Sequence, residues 1–121
     1  MLNREITLLN ARMISGVDEN NNPTSSCSTY KEGETWRVYA DIINADEKTR
    51  ITFKWQGSED KDFCEIFEYT PHFNNEKSFI IGYMIPTKEF RSQIYRVEIY
   101  IDDEENPRES ISFEYISKVN I

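Results

Sequence analysis

Along most of the chain apolar and polar residues alternate with a period of two, the mark of strands with one face on a core and one in solvent. Ile6 to Ile14 reads as a first strand with Leu9, Ala11 and Met13 on one face. The polar stretch Ser15 to Ser28 follows, its Asp-Glu-Asn-Asn-Asn-Pro run being turn chemistry. Tyr30 to Glu34, with Gly33, then turns tightly into a second strand, where Trp36, Val38, Ala40 and Ile42 face inward and Arg37, Tyr39, Asp41 and Ile43 outward.

After a turn at Asn44 to Lys48, Thr49 to Gln56 alternates cleanly, with Ile51, Phe53 and Trp55 pointing in. Gly57 to Asp62 reads as a charged loop. Asp62 to Thr70 is a less regular strand carrying Phe63, Phe67 and Tyr69, and Pro71 to Glu76 turns again. Ser78 to Ile85 is almost wholly apolar, as in a strand covered on both faces, and Pro86 ends it. Thr87 to Ser92 has room for one helical turn. Gln93 to Asp102, with Tyr95, Val97, Ile99 and Ile101 on one face, and Ser110 to Ile116, with Ile111, Phe113 and Tyr115 inward, form a C-terminal hairpin across Asp103 to Pro107. About seven short strands with regular turn signals predict an all-β fold, an antiparallel sandwich or small barrel. Residues 1–121 read as one domain, long enough to bury a core without staples.

Trp55 falls where immunoglobulin-like domains carry a core tryptophan, and Tyr95-Arg96-Val97 resembles the Tyr-x-Val that opens the sixth strand of fibronectin type III and related domains. The resemblance implies an immunoglobulin-like β-sandwich in which the Tyr95 hydroxyl bonds back to the preceding loop. It departs from the antibody pattern in having no cysteine on the second or sixth strand, and Gln93-Ile94 stands where a glycine often precedes the tyrosine. A second similarity, through Asn22-Pro23-Thr24 and Gly33-Glu34, is to the carbohydrate-binding C-terminal domains of polysaccharide-exporting ABC transporters. It implies a sugar ligand.

Charge narrows the partners. Fourteen basic residues are scattered among 22 acidic ones for a net charge of −8, whereas a nucleic-acid groove needs clustered Lys and Arg. Nucleic acid is therefore not an expected partner. The acidity serves solubility, or, in a sharper reading, a polyanion-mimicking inhibitor. No apolar run reaches membrane-spanning length, and no membrane partner is expected. The start, Met1-Leu2-Asn3-Arg4-Glu5-Ile6, has no basic segment leading into an apolar one. Read literally the chain is cytosolic, but a chain trimmed of its signal would read the same, so the compartment stays open. Cys27 and Cys64 are too few for a disulfide framework or a zinc site; free thiols are expected, or one bridge in an oxidising compartment.

Catalytic chemistry finds no footing. His72 is the only histidine, and Cys64 eight residues earlier suggests no dyad; no nucleophile elbow, phosphate loop or dinucleotide fingerprint occurs. Asp18 to Asn22 begins like a calcium loop but carries Pro23 at position six and Thr29 at twelve. Asp102 to Asn106 fails likewise, with Pro107 and Phe113 there. No catalytic residue, metal or cofactor is expected, and the function expected is a non-enzymatic protein–protein interaction module.

Its surface follows from the alternation. Tyr39 and Ile43 point outward, and assigning Phe79, Ile81, Tyr83 and Ile85 to the core leaves Ile80 and Met84 outside. These four predict one exposed apolar face for a protein partner or a second copy, unless the first strand or a long loop covers it. A carbohydrate module would instead use exposed tyrosines, Tyr39, Tyr69 or Tyr100, and a polyanion mimic Asp102, Asp103, Glu104 and Glu105.

Overall fold

The computed structural model describes residues 5–20, 22–59, 62–69 and 78–118. Eight strands occur among them: β1 (Thr7–Ile14), β2 (Thr29–Lys31), β3 (Trp36–Ile43), β4 (Ile51–Glu59), β5 (Asp62–Tyr69), β6 (Phe79–Met84), β7 (Gln93–Ile101) and β8 (Glu109–Ile116). They form a three-stranded sheet ordered β1-β3-β6 and a five-stranded sheet ordered β2-β8-β7-β4-β5. All pairings are antiparallel except that of β2 with β8. The inner faces of the two sheets meet in one apolar core, so the fold is an all-β sandwich.

The regular strands face as their alternation predicts. Trp36, Val38, Ala40 and Ile42 are buried, as are Ile51, Phe53 and Trp55, the run Tyr95, Val97, Ile99 and Ile101, and Phe113 with Tyr115. Trp36 is the hub, its ring centroid 4.8 Å from that of Tyr95, 4.9 Å from Phe113, 5.3 Å from Tyr115 and 6.0 Å from Trp55. Such tilted and edge contacts suit ring quadrupoles better than flat stacking. The Tyr95 hydroxyl donates to the Arg91 carbonyl at 2.9 Å, the back-bond that the Tyr-x-Val pattern implied.

Four expectations need correction. Tyr30 lies not in a turn but on β2, with the turn following at Gly33, whose φ is +96°. The Tyr30 hydroxyl lies 2.6 Å from the Ile14 carbonyl and 2.9 Å from the Arg37 carbonyl, and accepts the Arg37 N–H at 3.3 Å. It thereby ties β2 of one sheet to β1 and β3 of the other. Second, a bulge between Leu9 and Arg12, with Asn10 at φ +57°, breaks the parity of β1. Leu8 and Met13 point into the core, and Leu9 is exposed. Third, the charged loop after Gln56 is strand: β4 continues to Glu59 and pairs with β5 up to Asp62. Fourth, β6 faces the opposite way to that assigned. Ile80, Gly82 and Met84 are its inward residues, while Tyr83 and Ile85 are exposed.

The reason for the last inversion is local. When every residue of a strand is apolar, alternation carries no information about its faces. Gly82 settles the matter, because a Cβ there would stand 2.5 to 2.8 Å from ring carbons of Phe53. Only glycine lets the two sheets approach this closely.

Candidate functional site

The four residues expected to share an exposed face do not. Tyr39 and Ile43 are on the outer side of β3, and Ile43 is 44% exposed, but Tyr39 is only 9% exposed. Ile80 and Met84 are 7% and 8% exposed and belong to the core, because β6 is inverted. Met84 is also opposite Trp36, at the far end of β3 from Ile43.

Tyr39 is covered on both ring faces. The Arg12 guanidinium lies 4.8 Å from its centroid, and Phe79 stacks 5.6 Å away at 19°. The Tyr39 hydroxyl donates to Asp41 at 2.9 Å, and Asp41 also accepts from Asn10 Nδ2 at 3.0 Å. Burial first, and then this carboxylate, raise the Tyr39 pKa and keep the phenol neutral. A sugar needs an open ring face, which Tyr39 lacks. Tyr100 has Lys54 Nζ 4.6 Å over its ring, with its hydroxyl on Glu98. The Tyr69 side chain and His72 lie outside the described residues, as does the turn expected at Pro71 to Glu76.

The acidic hairpin turn is engaged in its own structure. Asp102 accepts the Arg50 N–H at 2.9 Å, Asp103 pairs with the Arg50 guanidinium, and Glu104 with Arg108 at 2.8 Å. The Arg108 guanidinium holds the Glu104 carboxyl below its ordinary pKa. Three of the four acids that a polyanion mimic would present are thus turn braces. Asp18 similarly accepts the N–H groups of Asn20 and Asn22 at 2.8 and 2.9 Å, closing its own loop.

The exposed apolar surface collects elsewhere. β5 is the last strand of its sheet and β6 an edge of the other, and between them opens a groove of about 660 Å³. Ile66 and Phe67 form one wall, Tyr83, Met84 and Ile85 the other, and Thr87, Glu89 and Phe90 close the end. A bulge builds the first wall. Trp55 pairs with Phe67 but Gln56 with Glu65, so Ile66 is an extra residue, and both apolar side chains line the groove. On the second wall the outward parity of β6 exposes Tyr83, and Ile85, past the strand end, is 75% exposed. Sequence alternation missed this site because it placed Tyr83 and Ile85 in the core. Gly82 was the available signal: its parity with Ile80 and Met84 marks the inward face.

No protein-family profile matches the chain, and no curated protein matches its sequence. The site has to be read from its own chemistry. Among the described residues it holds apolar walls and one carboxylate at the end, and it has the size of an ordinary ligand cleft.

Proposed function

We propose that this chain is an immunoglobulin-like, non-enzymatic binding module that takes apolar side chains of a protein partner into the groove between β5 and β6. The immunoglobulin-like reading is supported by a three-stranded sheet opposite a run of β8, β7, β4 and β5, and by the Tyr95 back-bond. The observation that carries the binding reading is the convergence of Ile66, Phe67, Tyr83 and Ile85, all exposed, on a single cleft. An exposed Ile gains nothing from water, and a strand end accepts Thr or Lys as readily. Interfaces draw their energy from a few such aromatic and large apolar anchors.

The test is an Ile66→Lys, Ile85→Lys double variant compared with wild type in melting, sedimentation and partner capture. Unchanged melting with loss of a specific partner supports the reading, and loss of a concentration-dependent dimer would identify that partner as a second copy. Equal recovery of every bound protein by both forms would remove the groove as the binding site.

A further inference from the structure

The groove is not electrically neutral ground, although the molecule as a whole carries −8. Arg37, opposite Tyr83 on the outer face, lies with its guanidinium 5.9 Å from that ring's centroid, where Nη1 also donates to the Ser15 and Thr35 carbonyls at 3.2 and 3.5 Å. Lys88 and Arg91 are exposed in the segment that closes the groove's end. None of the three belongs to an ion pair; the pairs among the described residues are Arg50 with Asp103 and Arg108 with Glu104. Among the described residues the groove lining itself holds one carboxylate, Glu89, with the three cations beside it rather than in it. The two described carboxylates of β5 do not offset this. Glu68 opposes Lys54 and Glu65 opposes Gln56, which puts them on the outer face of the five-stranded sheet, away from the groove. The distant acids matter little at physiological salt, where the screening length is about 8 Å.

We infer that the groove's occupant is an acidic segment of a protein partner, with apolar side chains between β5 and β6 and carboxylates toward Arg37, Lys88 and Arg91. This rests on the groove being the binding site. The apolar walls supply affinity, and the cations, which have no carboxylate partner of their own among the described residues, supply orientation and selection against basic partners. A guanidinium held over a tyrosine ring is also partly ordered in advance, so pairing costs it less freedom.

The experiment uses three short synthetic peptides in which Leu and Phe alternate with Glu, Gln or Lys. They are titrated into ¹⁵N-labelled protein at physiological and high salt, with a single-stranded oligonucleotide as a second anion. The Glu peptide should shift the groove resonances and bind about tenfold more tightly than the Gln peptide at physiological salt, the difference closing at high salt. The exposed double variant Lys88→Glu, Arg91→Glu should reverse the order and favour the Lys peptide. If the Gln peptide binds as tightly as the Glu peptide, and Ile85→Lys abolishes both, the groove stands and the acidic partner is wrong. If no peptide shifts the groove, or Ile85→Lys leaves binding untouched, the groove reading itself fails. Binding of the oligonucleotide there more tightly than the Glu peptide also overturns the inference.

Discussion

At the scale of the residue, one side chain joins the two sheets by hydrogen bonds. Tyr30 is fully buried, packs edge-on against Phe113 at 5.6 Å, and spends its hydroxyl on backbone groups of β1 and β3. Burial, followed by the bond to Cys27, pushes its pKa well above the usual tyrosine value. A folded-state pKa raised above the unfolded one gives stability that is complete below the unfolded value, about 10. As pH rises past that value the unfolded chain releases a proton that the folded chain keeps, and stability falls until the folded group also ionises. Tyr30→Phe should therefore lower stability at neutral pH by about 1–3 kcal/mol, since the Ile14 and Arg37 backbone groups lose a buried partner. It should also flatten the alkaline loss of stability, and denaturant midpoints from pH 8 upward would show both. A variant as sensitive to alkali as wild type would show that Tyr30 is not the buried titrating group. Sequence alone did not reveal this role: a three-residue strand has too few positions for alternation, and Tyr beside Gly33 and Glu34 reads as a turn.

At the scale of the element, strands with mixed composition were legible and the uniform or bulged ones were not. β3, β4 and β7 each offer polar partners for their apolar residues, so parity fixes their faces. In β1 the parity changes at Asn10, whose short amide tolerates the left-handed backbone and reaches Asp41. Nothing in the alternation marks that change. In β6 the face is decided by Gly82 against Phe53, which yields a contrast between neighbours. Met84→Ala should cost about 2–5 kcal/mol, whereas Ile85→Ala, one residue on and largely in water, should stay within about 0.5 kcal/mol of wild type. Gly82→Ala should cost about 1–3 kcal/mol by overpacking, and Phe53→Leu should recover part of it, because the two sites share one clash. Chemical denaturation of these variants checks the set. A neutral Met84→Ala with a damaging Ile85→Ala would return β6 to the opposite face.

At the scale of the whole molecule, the order of strands decides a question that two cysteines leave open. Cys64 is on β5, at one edge of the five-stranded sheet, while Cys27 precedes β2, at the other. The Cys27 N–H bonds to the Met13 carbonyl on β1, which fixes it on that side, and its thiol is in no disulfide. Between β2 and β5 lie β8, β7 and β4, so the separation is roughly 19 Å at the usual interstrand spacing. A disulfide needs Cα atoms within about 7 Å. The chain therefore holds its sheets together through the Trp36 ring cluster, the buried aliphatic residues of β3, β4 and β7, and the Tyr30 hydroxyl, with no staple between the two cysteines. An excess of reductant should leave the melting temperature unchanged, and thiol titration of the unfolded chain purified under oxidising conditions should find both thiols in the monomer. A fall of several degrees on reduction, or one missing pair of thiols in the monomer, would bring Cys27 and Cys64 together. No sandwich with β2 and β5 at opposite edges allows that, so the same measurement tests the strand order that positions the groove.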